Sequence, residues 1–236
     1  DHSQNFYKYE KVPGQLMSKC VTPPMFSEFL NWAEDNLWKT QYDDGFNDRC
    51  KSFYIDKTKS RIHKYIGDQD DNEVEINGTL VSPALSLLNE IDQEWLCDGL
   101  PTQFHGDFIL DNVLKTEDGF MLLDWRQDFG GSLTTGDIYY DLAKLNHNLT
   151  VNHGIVEAGH FGPCVNNCYI LCNTTLTECQ KVLHRFIENK GYDLRKVKTL
   201  TSLILINMSP LHEYPFNKFL FNFGKYTLQQ LINEGK

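Results

Sequence analysis

Two polar clusters separated by a turn constrain this chain more than any other stretch. The first is His105-Gly106-Asp107-Phe108-Ile109-Leu110-Asp111-Asn112 and the second is Leu122-Leu123-Asp124-Trp125, with Glu117-Asp118-Gly119 between them. Asp-Gly flanked by short apolar runs predicts a β-hairpin, with strands around residues 113 to 115 and 120 to 124. A hairpin brings its two ends together. Asp107, Asn112 and Asp124 are therefore expected to converge at one end of the strands, supplying two carboxylates and an amide carbonyl to one place.

The flanks read differently. A strand is expected at residues 6 to 12, stopped by Pro13-Gly14. Within residues 24 to 40, Phe26, Phe29, Leu30, Trp32, Ala33 and Leu37 recur at helical spacing, which predicts a helix with one buried face. A second helix is expected over residues 44 to 66, with Phe53, Ile55, Ile62 and Ile66 inward. Residues 68 to 75 read as an acidic solvated loop. Ser82-Pro83 is expected to cap and open a helix running to Cys97, and helical periodicity returns at residues 139 to 148, 177 to 190, 196 to 207 and 217 to 233. The expected class is α+β, mainly helical, a helical body enclosing one small β-hairpin.

With 236 residues, 41% of them hydrophobic, the chain can bury a sizeable core. Its 22 basic and 32 acidic residues give a formal charge of -10, which argues against nucleic acid or an anionic membrane as partner. The densest basic cluster, residues 57 to 64, reads as a solvated helix face. No apolar run reaches the length of a membrane span and no signal peptide is evident, so a cytoplasmic location is expected. The seven cysteines suggest no disulfide framework, and reduced thiols are expected. Cys164, Cys168 and Cys172 would line one side of a helix and read as buried small side chains rather than a metal site. Asn77, Asn148, Asn173 and Asn207 open Asn-x-Ser/Thr triplets, which matter only in a secreted chain.

Two carboxylates and an amide carbonyl are what phosphoryl transfer requires: oxygen ligands for a Mg²⁺ that bridges nucleotide phosphates, and a carboxylate that orients the attacking hydroxyl and accepts its proton. On these residues the sequence resembles a family. Residues 105 to 112 resemble the HGDxxxxN loop of aminoglycoside phosphotransferases and choline kinase-like enzymes, and Leu122-Leu123-Asp124-Trp125 resembles their metal-binding Asp segment. Gly136-Asp137-Ile138-Tyr139-Tyr140-Asp141-Leu142-Ala143 is similar to their GDPxYDLA segment, and residues 7 to 14 are similar, more loosely, to the last small-lobe strand and hinge. The resemblance spans residues 6 to about 145. It implies the C-terminal lobe of a protein-kinase-like phosphotransferase, with residues 1 to 14 as the end of the small lobe and hinge, and residues 15 to 236 as the helical lobe.

The cofactors so implied are ATP and Mg²⁺. Asp107 would be catalytic base or hydroxyl orienter, with His105 beside it in the catalytic loop. Asn112 and Asp124 would hold the metal, and the backbone of Tyr9, Glu10, Lys11 and Val12 would meet the adenine. Asp137 and Asp141 would brace the catalytic loop and cap the helix that begins near them. The Gly-rich loop and the strand lysine paired to a helix glutamate belong to a small lobe upstream. The start at Asp1 reads as an excised domain, so the missing small lobe, and a further upstream domain, are expected partners, and the isolated chain is expected to transfer little or nothing.

The acceptor is expected to be a small molecule bearing a hydroxyl: a sugar, a polyol, or a choline- or ethanolamine-like compound. DWRQDFGG followed by GDIYYDLAKL resembles kinase domains linked to surface polysaccharide enzymes. Arg126 has two readings, a bidentate donor to phosphate or carboxylate, or a brace paired with Asp128 or Asp137. His212 and Glu213, in a break between two helices, are further candidates for substrate contact beside Asp128. Trp125, Tyr139 and Tyr140 form either an aromatic wall for a cationic acceptor or part of the core. The competing class is a catalytically silent kinase-like module that binds a ligand or partner, against which stand intact Asp107, Asn112 and Asp124. A protein kinase is opposed by the HGD form and by the lack of an APE-like element after Asp124.

Overall fold

The turn residues set the hairpin. In a computed structural model that describes residues 11 to 67, 71 to 126, 128 to 162 and 166 to 235, strands of four residues pair antiparallel across Glu117-Asp118, from Thr116 opposite Gly119 to Val113 opposite Leu122. Gly119 takes a φ of 137°, a conformation that side chains disfavour.

In chain order the elements are β1 (Gln15–Leu16), α1 (Met17–Cys20), α2 (Pro23–Asn36), α3 (Phe46–Lys51), a π-helical turn (Ser52–Asp56), α4 (Lys57–Ile66), β2 (Val74–Ile76) and β3 (Thr79–Val81). Next come α5 (Ala84–Glu90), α6 (Gln93–Cys97), β4 (Pro101–Thr102), a 3₁₀ turn (Leu110–Asn112), the hairpin strands β5 (Val113–Thr116) and β6 (Gly119–Leu122), and β7 (Gly136–Asp137). The remainder is α7 (Ile138–Thr150), α8 (His153–Glu157), α9 (Thr174–Asn189), α10 (Leu194–Met208), a second 3₁₀ turn (Ser209–Leu211) and α11 (Phe216–Glu234). The class is α+β and mainly helical, as the periodicity indicated.

Helix α7 is the axis. From Ile138 to Leu149 every residue is buried, charged and amide side chains included. It packs on α9 and α10, α10 packs on α11, and α2 packs on α9 and reaches β6. Phe29 of α2 lies against Phe108 and Phe120, both ring centroids 5.1 Å away, so the aromatic core runs directly beneath the hairpin.

Several expectations need correction. The expected strand over residues 6 to 12 lies mostly outside the described residues. Lys11 and Val12 are irregular, and the strand falls after Pro13-Gly14, where β1 adds to the β5 edge. The expected helix over residues 82 to 97 breaks at Ile91-Asp92, because Asp92 caps α6 through the Trp95 N–H at 3.1 Å. Its first half starts at Ala84, with Pro83 rather than Ser82 in the cap position and no side-chain cap. The acidic loop is partly a second hairpin, with Val74 opposite Val81 around a turn at Asn77-Gly78, and β4 pairs with β7 in a further two-residue ladder. The sheet content therefore exceeds a single hairpin.

The cysteine reading is also corrected. Residues 166 to 173 are irregular, so spacing by four creates no common face there. Cys168 is buried and disulfide-bonded rather than reduced, Cys172 is exposed, and Cys164 lies outside the described residues. Among the described residues, no helix is long and apolar enough to cross a membrane.

Candidate active site

The loop before the hairpin is held from behind by α7. Asp141, fully buried, accepts the backbone N–H of His105 at 2.8 Å and of Gly106 at 2.7 Å, and the indole N–H of Trp38 at 3.1 Å. Asp137 caps α7 through the Tyr139 N–H at 3.1 Å and also accepts from the Leu100 N–H and the Tyr54 hydroxyl. Burial pushes both carboxyls up to about 6 despite these donors, which pull the other way. Asp141 thus holds the loop, and Asp137 caps the helix. Asn148, two turns along α7, accepts the Leu110 N–H at 3.0 Å and fixes the far end of the loop.

His105 joins the two polar clusters. Its Nδ1 accepts the Asp107 N–H at 3.2 Å, which leaves Nε2 to donate to the Leu123 carbonyl at 2.6 Å. Burial lowers its pKa, and the neutral ring is a tie between loop and hairpin that does not line the cleft. Two further bonds complete the junction: Leu123 N–H to the Asn112 carbonyl at 2.9 Å and Arg126 N–H to the His105 carbonyl at 2.9 Å. Gly106 sits at φ 80°, where an added Cβ would lie 2.4 Å from that of Arg126. Only glycine fits this crossing.

In front of this junction opens a cleft of about 950 Å³, whose lining includes Asp107, Asp124, Arg126, Asp128, Lys144 and His212. Asp107 Oδ1 pairs with the Lys144 ammonium at 2.7 Å, and the Asn112 amide donates to Asp107 Oδ2 at 3.1 Å and to its carbonyl at 2.9 Å. Burial raises the Asp107 pKa, but Lys144, Arg126 and Asn112 together outweigh it and the net shift is downward. The carboxylate is charged at neutral pH. Asp124 is exposed at the end of β6 with φ 54°, and among the described residues its carboxylate accepts no hydrogen bond and joins no ion pair.

Among the described residues no three His, Cys, Asp or Glu side chains are grouped to hold a metal. One carboxylate plus one amide carbonyl, from Asp124 and Asn112, still suits Mg²⁺, which takes few protein ligands and fills its other positions with water and phosphate oxygens. The donor chemistry at the hairpin end fits that ion.

No family model, curated protein or solved structure matches the chain.

Of the substrate candidates, Arg126, Asp128 and His212 line the cleft, whereas Glu213 is exposed outside it. Arg126 pairs with neither Asp128 nor Asp137. Its Nε donates to the Gly106 carbonyl at 3.1 Å, and its guanidinium carbon stands 5.3 Å from the Phe53 ring centroid and 5.7 Å from that of Tyr140. Asp128 closes its own turn by accepting the Gly131 N–H at 2.6 Å. Tyr139 belongs to the core, Tyr140 is buried at the cleft edge, and Trp125 is half exposed over the His105 ring. Tyr9 and Glu10 lie outside the described residues.

Sequence reasoning missed Lys144, Lys57 and Arg61, all of which line the cleft. A lysine in the wholly buried first turns of α7, one turn after Asp141, was a usable signal, because a buried ammonium requires a partner. Lys57 and Arg61 follow Phe53 at four-residue spacing and share its face. The basic cluster is thus not simply a solvated face.

Proposed function

We propose that this chain is the larger, helical lobe of an ATP-dependent small-molecule kinase, transferring the γ-phosphoryl group to a hydroxyl of a sugar, polyol or choline-like acceptor. The observation that carries the reading is the pairing of a charged, cleft-facing Asp107 with an uncommitted Asp124 across one hydrogen-bonded junction. Catalysis of phosphoryl transfer is mostly positioning and charge stabilisation, and the junction supplies positioning.

Asp107 orients the acceptor hydroxyl and takes its proton as the oxygen attacks. The ion pair with Lys144 keeps this carboxylate ionised and aimed at the cleft, and the Asn112 amide fixes its second oxygen. With its N–H₂ committed to Asp107, Asn112 would offer its amide carbonyl as a ligand together with Asp124. Mg²⁺ bound there would supply charge neutralisation for the nucleotide phosphates. Arg126, anchored through Nε to the Gly106 carbonyl, lines the same cleft. The adenine would approach from the β1 side, along the backbone that includes Lys11 and Val12.

The test is transfer from Mg-ATP to a panel of sugars, polyols, choline and ethanolamine, measured on the full-length protein. Asp107→Asn should lower turnover about 10²- to 10⁴-fold while leaving nucleotide binding in place. Unchanged turnover in that variant, or no nucleotide binding by the parent, would move the assignment to the silent ligand-binding module.

A further inference from the structure

One wall of the cleft carries positive charge that the protein itself leaves unneutralised, in a chain of formal charge -10. Phe53, Lys57 and Arg61 share a face that runs from the π-helical turn into α4, and all three line the cleft. Such turns add a residue to the helical repeat and often occur at functional sites. The Lys57 ammonium lies 3.8 Å from the Phe53 ring centroid, and the Arg126 guanidinium reaches the same ring at 5.3 Å. Lys57 and Arg126 thus meet at one aromatic platform, with Arg61 a turn beyond Lys57.

The carboxylates nearby are already engaged or lie elsewhere. Asp107 is taken by Lys144, Asp128 by the Gly131 N–H, and Asp124 stands at the hairpin end. Among the described residues Lys57, Arg61 and Arg126 form no ion pair. The protein bears the repulsion: burial, then Arg126, Arg61 and Lys144, drive the Lys57 pKa down to about 7, with Asp128 opposing only weakly. A bound anion would relieve it.

We infer that Lys57, Arg61 and Arg126 form an anion subsite, and that the acceptor carries a phosphate monoester or a carboxylate besides the hydroxyl it presents to Asp107. The acceptor half of this inference rests on the kinase reading above. Leu203 and Asn207 of α10, the helix on which α4 packs, and His212 line the same cleft, whereas the nucleotide would approach from the β1 edge. An anionic acceptor also replaces the cationic one that an aromatic wall would have suited.

The test is calorimetric titration of the full-length protein with inorganic phosphate, sulfate, acetate and, separately, Mg-ATP at constant ionic strength. The proteins compared are the parent, Lys57→Met, Arg61→Met, the charge-conserving Lys57→Arg and Arg61→Lys, and Lys64→Met as an exposed control. Phosphate or acetate affinity should fall about tenfold in each Met variant, and stay within about twofold in the control and the charge-conserving variants. Preference for phosphate and sulfate assigns a phosphate ester, and preference for acetate a carboxylate. No anion binding by the parent, or equal binding in all variants, overturns the subsite. Loss of Mg-ATP affinity in parallel with phosphate affinity overturns its assignment to the acceptor. Absence of Mg-ATP binding in the parent counts against the kinase reading alone and leaves the anion result standing.

Discussion

The floor and the wall of the cleft treat charge in opposite ways. On the floor, Asp141 and Asp137 are buried and spend their oxygens on backbone N–H groups, so each charge is converted into loop geometry. On the wall, among the described residues, Lys57 and Arg61 join no ion pair, and Lys57 lies over the Phe53 ring. The difference separates two functions of ionised groups. A carboxylate enclosed by donors fixes a conformation and is closed to ligands, whereas a cation held on an aromatic ring with its head free is available to one.

The strongest way to break this comparison is at Asp141. Asp141→Asn retains shape but turns an N–H₂ group toward at least one of the three donors now bonded there. The expected loss is about 2 to 4 kcal/mol of folding stability, together with most of any phosphoryl transfer, read by denaturant unfolding and by turnover. A carboxyl whose folded pKa is raised contributes most when protonated and loses that contribution as pH rises through the folded value. The stability gap between parent and variant should therefore be widest at acid pH and shrink between the ordinary carboxylate value and about 6. A gap that widens with pH would show that the hydrogen bonds outweigh burial there.

The wall should respond to pH through binding instead. With Lys57 titrating near 7, its charge fades as pH rises from 6 to 8, and sulfate, which stays fully ionised, should bind about tenfold more weakly across that range. The charged groups facing it are Arg126, Arg61, Lys144 and Asp128, and burial holds His212 below its ordinary value. Lys57→Met should flatten the profile. The smallest expected effect sharpens the same picture: Asp128→Asn removes the weak opposing charge and should tighten sulfate binding about threefold, with little change in melting temperature.

The floor was more legible in the sequence than the wall. Asp107, Asn112 and Asp124 stand close in the chain on either side of a two-residue turn, so local rules alone bring them to one end of a hairpin. Asp137 and Asp141 were legible for the same reason, as a helix cap and the residue one turn on. The wall depends on long-range packing. Nothing local states that the Phe53 face of α4 meets Arg126 across the molecule, or that Lys144 finds Asp107. The π-helical turn that shifts the register at residues 52 to 56 leaves no mark in a periodicity count. Three-residue strands such as β2 and β3, and a helix broken at Ile91-Asp92, escape pattern reading because one tertiary contact or one cap decides them. The row expected of Cys164, Cys168 and Cys172 failed because residues 166 to 173 are not helical.

His105 joins the loop that carries Asp107 to the strand end that carries Asp124, through one ring nitrogen on each side. Two groups coupled through so short a linkage keep their spacing, so whatever adaptation the cleft undergoes falls to residues that do not touch that ring. Variation at positions 57 and 61 is then free to exchange one acceptor for another while the reacting geometry is inherited unchanged. A library randomised at those two positions, with 105, 107 and 124 held constant, is where altered selectivity should be sought first.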